Sequence, residues 1–349
     1  MLNWQDTYRL SRFAFIRPAD HGLVIESALN NRQFPLRSAS VIRIIAALAR
    51  PTQLESLLSS VRAEEREILC SFLNGCNQAQ LLTRVGEDGV TEEDAGPLGY
   101  WEFHDLVFHT ASRLGRNRRP IGGTYRLKDR LAQESPLGCD EVDDQIALPK
   151  PGVDVLNIAL RDALAHRRSQ YGEKPLTIEA LGAFTYWTCR VTHVRNTEND
   201  VHLHKLYPSG GSLHPLRVYI AIDSCAGCPT GLYRYLDREH SLGRLPAPEA
   251  AVRKFLSDAA SSTGGLAQKP TMLFIISARF HRTAWKYESI AYRLILLETG
   301  TLLQTMYLAA TALGLKGCAL GCGDSDHFAQ TAQTNYYTET SVGEFLLGA

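Results

Sequence analysis

At 349 residues the chain exceeds a usual single domain, so two units are expected, each large enough to bury a core without disulfide help. Lys+Arg and Asp+Glu each number 37 and the pI is about 7.2, which leaves no global field to hold a polyanion and argues against nucleic acid as a partner. Residues 1–13 mix Trp4, Asp6, Arg9 and Arg12 into their apolar positions and lack the unbroken hydrophobic core of a signal peptide, so a cytoplasmic protein is expected.

In chain order, strand-like segments at 22–26 and 33–36 precede a stretch with helical apolar spacing at 39–49. Arg50-Pro51-Thr52 stops that helix, because proline removes a backbone donor, and a second helical stretch runs through Leu58. A third helix is expected over 63–72 and a strand over 80–85. Strands flanking three short helices predict a winged-helix-like module. Its helices lack a dense basic face, so peptide or partner binding is expected of it rather than DNA reading. His104 and His109 are five apart, off the spacing that puts two ligands on one helical face, and read as packing or interface histidines. Arg113, Arg116, Arg118 and Arg119 form a basic cluster, read as a solvated loop to which an acidic peptide leader can dock.

Residues 133–153 turn acidic and proline-containing and lose apolar periodicity, which reads as a linker between domains at 1–132 and 154–349. Beyond it, helical patterns at 155–166, 178–189 and 291–313 alternate with strands at 216–222, 232–235 and 271–278, predicting a mixed α and β domain. The apolar run at 294–315 carries Glu298, Gln304, Gly300 and Gly314, which fits a buried core helix better than a membrane span. The eight cysteines read as free thiols; Cys225-Ala-Gly-Cys228 has no second pair to complete a zinc site, so no metal is expected.

Three stretches of the second half carry chemistry. His166-Arg167-Arg168-Ser169 closes a predicted helix, and two guanidinium forks with a hydroxyl can clamp a phosphate, although cations there also merely complement the helix dipole. Tyr207-Pro208-Ser209-Gly210-Gly211-Ser212-Leu213-His214-Pro215 feeds a strand; paired glycines allow close approach of a flat ligand while the serines and exposed N–H groups supply donors, the plainer reading being a tight turn. Gly317-Cys318-Ala319-Leu320-Gly321-Cys322-Gly323-Asp324 follows the long apolar helix, either as a glycine-rich helix stop or as backbone that can meet a ring nitrogen.

The order of these stretches resembles the FMN-binding layout of the nitroreductase superfamily. Further matches, at 230–235, Trp285-Lys286-Tyr287 with Tyr292-Arg293, Glu298-Thr-Gly300, 341–348 and, in the front half, 101–109 with Ser112-Arg113 and Gly122-Gly123-Thr124, are similar to its SagB-type branch, the azoline dehydrogenases of peptide heterocycle biosynthesis. That resemblance implies an α+β chain with a nitroreductase-like FMN fold at the C-terminus and a homodimer with FMN at the interface. Arg167, Arg168 and Ser169 would hold the phosphate; Pro208, Ser209, Gly210, Gly211 and Ser212 would border the flavin; and Leu320, Gly321, Cys322 and Gly323 would bring backbone toward N5. Tyr171 departs from the pattern, standing where many relatives have a second basic residue.

Trp285-Lys286-Tyr287 resembles the Leu-Lys-Tyr signature of the azoline dehydrogenases, with Trp in place of Leu, and Lys286 and Tyr287 are the catalytic candidates. Aromatising a thiazoline or oxazoline removes a hydride, which flavin can accept, and a proton, which needs a base. The plainer reading is a surface Lys-Tyr at a strand-to-helix junction. The expected substrate is a peptide or carrier-bound peptide, with dioxygen reoxidising the flavin and a cyclodehydratase as candidate partner. An NAD(P)H-dependent nitro- or quinone reductase and a non-catalytic flavin-binding scaffold are the alternatives.

Overall fold

The computed structural model describes residues 2–20, 22–59, 61–135, 142–196 and 201–349, and the chain divides into two compact units, Met1–Gly122 and Gly123–Ala349.

The first unit runs β1 (Thr7–Leu10), β2 (Ala14–Ala19), β3 (Gly22–Ser27), β4 (Gln33–Leu36), α1 (Ala39–Ala47), β5 (Thr52–Gln53), α2 (Leu54–Ser59), α3 (Ala63–Gln78), β6 (Leu82–Arg84), α4 (Glu92–Ala95) and α5 (Phe103–Ala111). β5, β1 and β6 form one antiparallel sheet and β2, β3 and β4 another. Ser38 starts α1 by accepting the Val41 amide, and Pro51 follows its end, as the sequence predicts. Val41, Ile44, Ile45, Leu69 and Leu73 then bury one face of the helices against Tyr8 and Leu82 of the sheet. The basic cluster is only partly a solvated loop. Arg116 donates to the Leu29 carbonyl at 2.8 Å, and Arg119 joins Arg17 on the buried Glu26 carboxylate, each at 2.7 Å, because that buried charge needs cationic partners. His109 packs on Trp101, with ring centroids 5.5 Å apart, whereas His104 is exposed beside Asp105.

The second unit continues with β7 (Gln145–Ala147), a 3-10 turn (Val153–Leu156), α6 (Leu160–His166), β8 (Leu176–Thr177), α7 (Ile178–Thr188), β9 (Val191–Asn196), β10 (Val201–Lys205), β11 (Leu216–Ile222), β12 (Cys225–Ala226), β13 (Gly231–Leu236), β14 (Ser241–Arg244), α8 (Glu249–Ser262), β15 (Met272–Arg279), α9 (Phe280–Lys286), α10 (Ala291–Ala312), β16 (Lys316–Leu320), α11 (Ser325–Thr331) and β17 (Glu339–Gly348). Its seven-stranded antiparallel sheet has the order β16-β17-β15-β11-β13-β14-β7. Alternate residues of β11 face opposite layers: Val218, Ile220 and Ile222 meet α7 and α10, while Tyr219 and Ala221 meet α8 and α11. Every residue of β15 is buried, so a helix layer covers each face. Burial of Phe274 or Phe345 in this core stabilises it by about 2–3 kcal/mol each.

Of the expected linker, residues 136–141 lie outside the described residues, and the rest is built into this unit. β7 pairs with β14 as the sheet edge, and Glu134 bonds Arg279 at 2.8 Å. The helix expected over 155–166 is broken, because Asn157 leaves helical geometry between the 3-10 turn and α6. Cys225 and Cys228 are buried free thiols. Among the described residues, no helix is long and apolar enough to cross a membrane.

Candidate functional site

Helix α10 is the spine on which the predicted site residues gather. Its 22 residues span about 33 Å, and its sides and stations differ in what they hold. Near its start, Ser209 donates its hydroxyl to the buried Glu298 carboxylate at 2.6 Å, and Ser209 Oγ accepts the His214 amide at 2.8 Å. Gly210 lies against Leu294, where a Cβ would come within 3.2 Å. The second carboxylate oxygen of Glu298 faces His214 Nδ1 at 3.7 Å, so two buried polar groups are set opposite each other. The loop is strained: Gly211, Ser212 and His214 have φ of 67°, 55° and 44°. Left-handed backbone costs a non-glycine residue on the order of 1 kcal/mol, so such a loop persists only where its surroundings fix it. Glu298 does so from one side; from the other, the buried Arg282 donates to the Leu213 carbonyl, at 2.9 Å from Nε. Ser209, expected to border a ligand with its hydroxyl, uses that hydroxyl internally, and the loop offers glycine backbone instead.

Lys286 and Tyr287 reach this loop from the end of α9. Tyr287 is extended (φ −105°, ψ 139°), which turns its ring out of the helix direction. A Cβ on Gly211 would stand 2.6 Å from the Tyr287 hydroxyl oxygen and 2.9 Å from Lys286 Nζ. The two polar tips therefore converge on the glycine pair, both half-buried.

The arginine-serine stretch lies farther along the helix. The Arg167 guanidinium sits 5.2 Å over the Tyr307 ring, and the Ser169 and Tyr307 hydroxyls bond at 2.8 Å. Tyr307 in turn accepts the Ala319 amide at 2.8 Å, tying the stretch to β16, while the Gln170 amide reaches the Gly317 carbonyl at 3.0 Å. Arg168 folds back onto the carbonyls of Ala165 and Arg167. Among the described residues, no carboxylate pairs with either guanidinium, which leaves their charge available to an anion.

The glycine turn after β16 is braced from below by Glu344 of β17. A Cβ at Gly323 would overlap the Glu344 carboxyl, toward which the Gly323 amide and the Ser341 hydroxyl act as favourable donors. Burial pushes the Glu344 pKa up to about 7, against the pull of those two donors. Above the turn, Thr299, Gly300, Leu303, Gly321, Cys322 and Val342 line an open groove.

The structure thus places the predicted residues at three stations along α10. The 208–212 loop with Lys286 and Tyr287 meets α10 at Leu294 and Glu298; Arg167 and Ser169 meet it at Tyr307, nine residues or about 14 Å beyond Glu298. The turn at 320–323 faces Gly300, about 200° around the helix from Glu298. Glu298, His214, Tyr307 and Glu344 were not among the expected site residues. Only Glu298 left a signal, as a carboxylate inside an apolar run.

The sequence profile of the nitroreductase family matches residues 165–347, and that of the cyanobactin oxidase ThcOx matches residues 8–118. The chain is 33% identical over 179 residues to protein MJ1384 of Methanocaldococcus jannaschii, which carries a nitroreductase name, covering 51% of this chain and 83% of that one. It is 35% identical over 293 residues to the trifolitoxin-processing protein TfxB of Rhizobium leguminosarum bv. trifolii, covering 78% and 77%. It is 32% identical over 117 residues to the microcin B17-processing protein McbC of Escherichia coli, covering 32% of this chain and 41% of that one.

Proposed function

This chain belongs to the nitroreductase family and is an oxidoreductase by that membership, and we propose that it is an FMN-dependent dehydrogenase oxidising thiazoline or oxazoline rings in a peptide, or a carrier-bound peptide, to thiazoles or oxazoles. The observation that carries the reading is the convergence of Lys286 Nζ and the Tyr287 hydroxyl on Gly211. A base and a hydroxyl held at a side-chain-free stretch of backbone suit the removal of a proton from a flat ring lying against that backbone.

The chain's own donors fit FMN. Arg167 and Arg168, without carboxylate partners among the described residues, and Ser169 would hold its phosphate. The glycine backbone of 210–211 and of 321–323 would meet its ring system. When bound, FMN supplies the acceptor for the hydride lost by the azoline. The C–H proton goes to Lys286 Nζ, with the Tyr287 hydroxyl orienting or relaying it. Two hydrogens leave the substrate ring, and dioxygen serves as the final electron acceptor.

Because the three groups sit at different stations and sides of α10, a second copy of the chain completes the site in this proposal. Exposed Leu160 and Leu164 on α6 and Leu297 on α10 supply apolar surface for such a homodimer. The first unit binds the substrate peptide or a cyclodehydratase, in keeping with relatives named for the processing of trifolitoxin and microcin B17. An NAD(P)H-dependent nitro- or quinone reductase draws support from MJ1384, but that likeness covers 51% of this chain. Anaerobic mixing with NADPH separates the two, rapid bleaching favouring the reductase.

The test is a visible spectrum of the purified protein, followed by incubation with an azoline-containing peptide. The expected result is a bound flavin and a product lighter by two hydrogens. A colourless protein that FMN cannot restore ends the proposal.

A further inference from the structure

The segment beginning at Gly123 supplies a group to the Lys286 corner that lies 160 residues away in sequence. Tyr125 has φ of 54°, an uncommon backbone for an aromatic residue, and so needs its surroundings to hold it. Its amide donates to the Lys286 carbonyl at 3.1 Å. The Thr124 hydroxyl donates to Glu288 at 2.8 Å, and the Trp285 indole N–H donates to the Leu131 carbonyl at 2.8 Å. The Tyr125 ring meets Trp285 edge-on, with centroids 5.6 Å apart. Trp285, Lys286 and Glu288 are thus each bound to residues 124–131. Lys286 Nζ lies 5.9 Å from the centroid of Tyr125 and 5.4 Å from that of Tyr287. Gly123 borders both rings: a Cβ there would make ordinary van der Waals contact with an edge atom of each, at 3.8 and 4.0 Å.

We propose that Tyr125 is a positioning residue for Lys286, its ring and that of Tyr287 forming a two-walled aromatic seat that fixes Nζ beside Gly211. The inference rests on the reading of Lys286 as the base. An aromatic face attracts a lysine head group through its quadrupole, and two such walls limit the positions open to a flexible four-carbon stem. The titratable groups around Lys286 are Tyr287 on its own segment, Tyr125, and Glu288, which is engaged by Thr124; residues 209–212 of the facing loop carry none, and on α10 Tyr292 packs against Phe280.

The test compares Tyr125→Phe, which keeps the quadrupole, with Tyr125→Leu and Tyr125→Met, which remove it. Lysines of the protein as isolated are dimethylated with isotope-labelled formaldehyde, and the Lys286 resonance, assigned by its loss in Lys286→Arg, is recorded by NMR for the ring-current shift that the two aromatic walls give it. Tyr125→Phe is expected to keep the wild-type resonance position, while the Leu and Met variants move toward that of a solvent-exposed lysine. Their kcat for azoline oxidation falls roughly 10-fold with KM little changed, as a misplaced base requires. A Leu or Met variant with the wild-type resonance position overturns the proposal, as does a Phe variant that shifts equally. The expected resonance positions in a protein that does not oxidise azolines leave the seat in place and remove the proposed reaction.

Discussion

The Tyr287 hydroxyl fills the space that any side chain on Gly211 would need, lying 2.6 Å from the position of a Cβ there. Gly211 also holds φ at 67°, so two independent constraints select glycine at one position. Gly211→Ala is therefore expected to cost about 1 kcal/mol from the backbone alone. It also displaces Tyr287 and Lys286, lowering azoline turnover on the order of 100-fold, as for a 1 Å misplacement of reacting groups. Unfolding curves and steady-state rates check the two effects separately; an Ala variant with full turnover would remove the Lys-Tyr pair from the chemistry.

Glu298 is predicted to hold the 209–214 loop through the Ser209 hydroxyl rather than through charge. Glu298→Gln keeps an acceptor for Ser209 and adds a donor, and is expected to lose less than about 1 kcal/mol. Glu298→Ala leaves the half-buried Ser209 hydroxyl without its acceptor and opens space at a buried position, and is expected to lose about 2–3 kcal/mol. Denaturant unfolding measures both, and equal losses for Gln and Ala would refute the hydroxyl-acceptor role.

Where local pattern decides structure, the sequence was readable. Ser38 and Pro51 bracket α1 as their capping and breaking chemistry require, and the apolar run near 294–315 is α10, buried along one side at Ile295, Leu302, Met306 and Ala309. What escaped depends on partners distant in the chain. Gln145-Ile-Ala147 has too few residues to show a strand period and becomes β7 only because Ser241, Leu242 and Gly243 of β14 offer an open edge. Ser209 looked like a ligand-facing hydroxyl because nothing local reveals an acceptor 89 residues away. Tyr307 gave no signal, since an aromatic in an apolar helix is ordinarily core, and its use lies entirely in the hydroxyl.

That hydroxyl makes a separable prediction about the phosphate end. Tyr307→Phe keeps the ring beneath Arg167 but deletes the partner of Ser169 and of the Ala319 amide, and is expected to weaken FMN binding roughly 5–10-fold. Arg167→Ala removes a charge-assisted contact, with an expected loss of about 10–100-fold. Flavin fluorescence titrations with FMN and with riboflavin, which lacks the phosphate, distinguish the cause. Both variants should bind riboflavin as the wild type does; an Arg167→Ala variant that loses the two ligands equally would place the phosphate elsewhere.

Glu344 should make stability depend on pH near neutrality. Its pKa is raised from 4.5 to about 7 in the folded chain, chiefly because burial penalises the carboxylate. Below about 4.5 both folded and unfolded chains carry the proton and the group contributes no slope. Between 4.5 and about 7 the folded chain retains a proton that the unfolded chain has lost, so stability falls as pH rises, by about 1.4 kcal/mol per unit and roughly 3 kcal/mol in all. Above that window the buried carboxylate is charged, and the Gly323 amide and Ser341 hydroxyl offset only part of its desolvation. Glu344→Gln is neutral at every pH and is free of this decline. Tm measured from pH 5 to 8.5 should therefore show wild type and variant close together at the acid end and the variant the more stable at the alkaline end. Parallel curves would mean that Glu344 titrates as an ordinary carboxylate and that burial is not what sets its proton affinity.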